Sequence, residues 1–253
     1  FMEIEFSAHK DYYKLKDNFP TPINFNIPEW YKKLPHGTKS HKHIFNRTIK
    51  GCMPFMETLT NGYLLKTPVD YHIRHGTQKD KNGKPITIVM TALEMSNERY
   101  FDTKGLNIDM ADPHPINQLE GSPQVEKNGR LPFPKISNPW HIKTPKGYSC
   151  LFTDPLNNKQ QDFFSIISGI VHTDEHPLEV NFPIVINHEK YGHTDLTIAR
   201  GTPYVQIIPF KRDDWKMKVT PKETEKVLGK IWNLSFLNNY KNKIFNKNKT
   251  KWT

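Results

Sequence analysis

"FFSIISGIVHTDEHPLEVNFPIVINHEKYGHTDLTIARGTPYVQIIPF", residues 163–210, decides the fold. It falls into short runs rich in Ile, Val and Phe, closed by Gly, Pro, Asp or Asn. A helix would repeat its apolar positions every third or fourth residue over a longer stretch. These runs are too short and too β-branched for that, so they read as strands of a sandwich or barrel. "ITIVMTAL" (86–93), "ISNPWHIKTPKGYSCLFTDPLN" (136–157) and "DWKMKVT" (214–220) carry the pattern outward, and "MEIEF" (2–6) alternates in the same way. Asn82-Gly83 in "QKDKNGKP" supplies the positive φ values of a tight hairpin turn. Twenty prolines favour short strands and edges over a helical bundle.

Lys-Thr-Pro-x-x-Tyr occurs at 66–71 and again at 143–148, each time leading into a strand, and Thr202-Pro203 precedes another. This echo reads either as a duplicated sheet unit of a jelly roll or as independent strand starts. Residues 102–135 are rich in Asp, Pro, Asn and Gly and have little periodicity, which predicts a long loop. Thr220-Pro221-Lys222-Glu223 is a capping box with proline at the first helical position, and Val227, Ile231 and Leu234 follow at helical spacing. The expectation is a mainly β chain: a single β-sandwich or jelly-roll domain, double-stranded β-helix-like, over 1–220. A C-terminal α-helix over 221–245 packs on it, and a basic tail, 246–253, follows.

The 253 residues carry 36 Lys and Arg against 26 Asp and Glu, a net charge of +10. Such an excess suits an anionic partner. Lys241, Lys243, Lys247, Lys249 and Lys251 supply half of it, so a solvated tail on a near-ordinary domain accounts for the balance equally well, and nucleic-acid binding through that tail is the other reading. Cys52 and Cys150 lie in apolar surroundings and belong to no Cys-x-x-Cys pair, so buried free thiols are expected, with one disulfide conceivable. No apolar run approaches a membrane span and the N-terminus has no leader-like core, so no membrane association is expected.

His-Thr-Asp occurs twice, as His172/Asp174 and His193/Asp195. Residues two apart on a strand share a face, and a His and an Asp so placed begin the two-His, one-carboxylate site of non-haem iron enzymes. The one coherent triad is His172, Asp174 and His193 around divalent iron, with Arg200 as a carboxylate-binding cation. Both copies also lie at turn-like strand borders, where Asp and Thr bond to the backbone. A second candidate is an aromatic ligand pocket formed by Trp140, His141, Tyr148 and Arg200; Trp140 and Tyr148 serve equally as core. No phosphate-cradling glycine loop and no Gly-x-Ser-x-Gly elbow occurs.

"IPEWYKKLP" (27–35), "TIKGCMPFMETLTNGYLLKTPVDYHI" (48–73), "NPWHIKTPKGYSCLFTDPLN" (138–157) and "GTPYVQIIPFKRDDWKM" (201–217) together resemble a family of hypothetical proteins of tailed phages and marine metagenomes. The resemblance implies a viral or bacterial origin and one β-rich body, and brings no mechanism. The expected role is that of a binding or structural interaction module, through self-association or a protein partner, in the host cytoplasm or on the virion. The iron or cupin-like enzyme and the nucleic-acid binder are the alternatives.

Overall fold

The computed structural model describes residues 2–14, 16–39, 45–79, 81–83, 85–93, 111–159, 161–221 and 240–252. Its contacts divide the chain into two units, Phe1–Thr21 with Gly62–Lys211, and Pro22–Asn61 with Arg212–Thr253. The strands in chain order are β1 (Glu5–Ser7), β2 (Thr21–Pro22), β3 (Gly37–Lys39), β4 (Phe45–Arg47), β5 (Tyr63–Lys66), β6 (Tyr71–Lys79), β7 (Pro85–Leu93) and β8 (Ala111–His114). There follow β9 (Phe133–Ile136), β10 (His141–Lys143), β11 (Tyr148–Thr153), β12 (Phe164–Ile166), β13 (Gly169–Val171), β14 (Phe182–Ile186), β15 (Thr194–Ile198) and β16 (Pro203–Lys211). The protein is mainly β, and its pairings are antiparallel.

In the first unit, one sheet has the order β13-β11-β16-β5 and a second the order β12-β14-β9-β8. From β9 onward the strands of these two sheets alternate along the chain: β9 in the second, β11 in the first, β12 in the second, β13 in the first, β14 in the second, β16 in the first. Repeated crossing between two facing sheets is the winding of a jelly roll. Alternation within strands supplies the core. Cys150 and Phe152 of β11, Val205 and Ile207 of β16, Phe164 and Ile166 of β12, and Ile184 and Ile186 of β14 are buried in one cluster. Phe182 of β14 bridges the sheets, its ring 5.6 Å from Phe152 and 5.6 Å from Tyr204. Side chains of this size contribute about 1.5–3 kcal/mol each on burial. A third sheet, β15-β6-β7, adds Tyr71, Ile73 and Ile198 to the same core. Its β6–β7 hairpin brings Lys79 opposite Pro85 around Asn82-Gly83, with Gly83 at φ +79°.

Several expectations change. The Lys-Thr-Pro echo marks a connection between strands: one copy joins β5 to β6, the other β10 to β11. The joined strands fall in unlike sheet positions, so the echo records a turn and not a duplicated sheet. The described part of the expected 102–135 loop is structured: β8, a 3-10 turn at Ile116–Leu119, a short helix at Pro123–Lys127, and β9. The Ser122 hydroxyl accepts from the Gln124 amide and caps that helix, proline occupies its first turn, and Val125 is buried with Phe133 and Val185. Residues 102–110 of the loop lie outside the described residues. So do 222–239, where most of the expected C-terminal helix falls; the described chain is helical at Tyr240–Phe245 and Asn246–Asn248. "DWKMKVT", expected as a strand, enters no sheet. Both cysteines are free thiols; Cys150 is buried, which pushes its thiol up to about 11. No helix among the described residues is long and apolar enough to cross a membrane.

Candidate functional site

The His-Thr-Asp stretches use their polar atoms to tie strands together. His172 leaves β13 with Nδ1 2.8 Å from the Ser149 hydroxyl of β11. Thr173 is buried, its hydroxyl 2.7 Å from that of Thr144, and Asp174 accepts from the Gly147 amide at 2.8 Å. The amides of Glu175 and His176 close a turn on the His172 carbonyl. In the second copy, His193 Nδ1 accepts from the Thr77 amide at 2.9 Å. Asp195 takes Arg74 Nε at 2.9 Å and His72 Nε2 at 2.6 Å from the neighbouring strand. The shared-face rule holds, since His193 and Asp195 meet Gly76 and Arg74 on one face of β6. The expected triad does not: His172 and Asp174 are bound to the β10–β11 turn and β11, His193 to β6. Among the described residues no group of three or more His, Cys, Asp or Glu is placed to hold a metal. Turn and cross-strand bonding is what these residues do.

The expected aromatic pocket also changes character. Trp140 is buried edge-on against Tyr12, Phe19 and Tyr13, at 5.1, 5.2 and 6.0 Å, and so is core. The same burial raises the Tyr12 hydroxyl well above the usual tyrosine range. His141 places Nε2 3.1 Å from the His176 carbonyl, Tyr148 opens β11, and the Arg200 amide donates to Asp70 in the turn before β16.

A histidine row forms at the end of β6 that neither motif announced. The His75 and His188 rings lie 5.9 Å apart at 66°, and His188 and His193 6.0 Å apart at 86°. Two glycines make the space. A Cβ at Gly129 would stand 2.4 Å from the His188 ring, and one at Gly76 2.2 Å from His193 Nδ1. His75 is buried, and burial, with His188 and His193 beside it, depresses its pKa to about 4, so it is neutral at pH 7. A cleft of about 140 Å³ opens here, lined by Arg74, Thr77, His193 and Asp195 among others. The sequence held half of this signal: Tyr71, Ile73, His75 is a period-two series whose inward third member is a histidine.

Two surfaces stand out besides. In the first unit, β13 ends its sheet with Ile170 61% exposed, and Leu178 just beyond is 64% exposed. In the second, Trp215, Met217 and Val219 are 92%, 87% and 84% exposed along the extended segment after β16. The tail of that unit is anchored: the Trp252 indole N–H donates to Asn61 Oδ1 at 3.1 Å and Phe245 is buried. A comparison with protein-family models and with curated proteins finds no match, so the geometry alone speaks to function.

Proposed function

We propose that the chain is a jelly-roll interaction module that associates with further copies of itself, segment 213–219 of one copy lying along the free edge of β13 in another. The observation that carries this reading is the exposed run Trp215-Lys216-Met217-Lys218-Val219, in which three large apolar residues alternate with two lysines. Such a run is the pattern of a half-buried strand with no sheet, and strand addition to a free edge satisfies both its backbone and its apolar face. Covering the three side chains stabilises by about 1.5–3 kcal/mol each. The β13 edge complements it. Ile170 and Leu178 offer apolar surface, and Glu175 and Glu179 in the chain after β13 supply charges opposite to those of the lysines.

Sedimentation velocity over a concentration series tests this. The unaltered protein is expected to associate, and Trp215→Arg and Ile170→Arg, both at exposed positions, each to remain monomeric with unchanged circular dichroism. An equal mixture of the two variants is expected to form pairs, because one keeps an intact edge and the other an intact arm. A monomeric unaltered protein, or variants that associate as it does, would sink the reading.

A further inference from the structure

We infer that the second unit holds a binding site for a nucleotide with an unpaired base, the base seated on Phe25 and the phosphate on Lys249 and Lys251. The chain's return at residues 245–252 closes a cleft of about 330 Å³ against residues 24–25 and 57–61. That volume falls within the range of small-ligand clefts, about 300–1,000 Å³. Its walls differ in chemistry. Phe25 is 73% exposed on a 3-10 turn whose first residue, Ile23, is fully buried, so the ring has a fixed mount and an open face. Trp252, held by its bond to Asn61, keeps the neighbouring Lys249 and Lys251 at the cleft. Glu57 and Thr60 also line it, with an acceptor and a hydroxyl.

An open aromatic face beside paired cations is how unpaired bases and their phosphates are held without sequence preference. Inorganic phosphate would leave Phe25 unused, and a neutral aromatic would leave the lysines unused. The Glu57 carboxylate in the same lining repels phosphate and accepts from a base amino group. The same chemistry is offered by a free mononucleotide and by a nucleotide within a single strand.

The test uses the full chain, with fluorescence anisotropy of a labelled single-stranded oligonucleotide and competition by a mononucleotide and by inorganic phosphate. Binding is expected, and displacement by phosphate only at far higher concentration than by the mononucleotide. A mononucleotide that competes as well as unlabelled oligonucleotide identifies the free form as the ligand; one that competes much more weakly identifies the strand. Phe25→Ala should weaken binding about tenfold, the scale of one base–aromatic stack. Lys249→Glu with Lys251→Glu should weaken it at low salt and flatten its salt dependence. Lys241→Glu, an exposed lysine outside the cleft, should do far less. No binding at low salt, binding indifferent to Phe25→Ala, or an equal loss with Lys241→Glu would overturn the site. This result is independent of self-association, since no residue of segment 213–219 is altered.

Discussion

At the scale of the residue, His75 couples stability to pH. Its pKa falls from 6.5 to about 4 in the folded protein because burial and the nearby His188 and His193 disfavour its charged form. Between those two values the unfolded chain binds a proton that the native chain does not, so stability rises with pH through the window. The contribution is complete above about 6.5 and is lost as pH falls toward 4, at a cost of about 3 kcal/mol. Urea midpoints at pH 7, 5.5 and 4.5 are expected to fall steeply for the unaltered protein and more gently for His75→Leu; an identical slope in the variant would refute the assignment. This contact was half legible. His75 stands at an inward position of an alternating strand, but His188 and the bare Gly129 that seats it reach the row only through tertiary structure. The metal reading failed for the complementary reason. The residue types and spacing of His172, Asp174 and His193 were suitable, but sequence does not say that the Ser149 hydroxyl and the Gly147 and Thr77 amides already engage them.

At the scale of the element, strands were legible wherever one face is buried. Short apolar, β-branched runs bounded by turn residues are written locally too, so "YVQII" and "FPIVI" declare β16 and β14 without reference to partners. The 111–135 region was not, because its elements are held from a distance. Asn128 is the clearest case: Oδ1 accepts from the Ile186 amide of β14 at 2.8 Å, while Nδ2 donates to the carbonyls of Leu131 and Pro132. One buried amide therefore ends the 123–127 helix, shapes the approach to β9 and fastens both to the second sheet. Asn128→Leu keeps the volume and strips these bonds, leaving buried backbone groups unpaired at about 1–3 kcal/mol each. A loss of roughly 3 kcal/mol in urea denaturation is expected, together with faster hydrogen exchange at the Ile186 amide. Near-native stability in that variant would show the network to be dispensable. The segment 213–219 is the opposite case: its alternation reads as a strand, and among the described residues it enters no sheet.

At the scale of the whole molecule, the jelly-roll winding was legible as a class, from short apolar runs spaced by turns, but its strand order was not. The echo at Lys-Thr-Pro suggested two like halves, whereas the chain builds its first sheet from distant pieces. In that sheet the last strand to arrive, β16, is central: it lies between β11 and β5, pairing with β5 over residues 203–207 and with β11 over 206–211. A chain ended at Thr202 would leave β5 and β11 without the strand between them, and with it the buried Tyr204, Val205, Gln206 and Ile207. Such a truncation is expected to show no cooperative thermal transition by circular dichroism; a sharp one would mean that the earlier strands fold alone. The same placement sets the order of manufacture. On the ribosome, residues 63–66 emerge long before their partner in 203–211, and the β11 edge also waits open, so nearly the whole body must be translated before either can be closed. Slow, late-locking assembly of this kind leaves the nascent chain dependent on holding factors and vulnerable to premature pairing with its neighbours on a polysome.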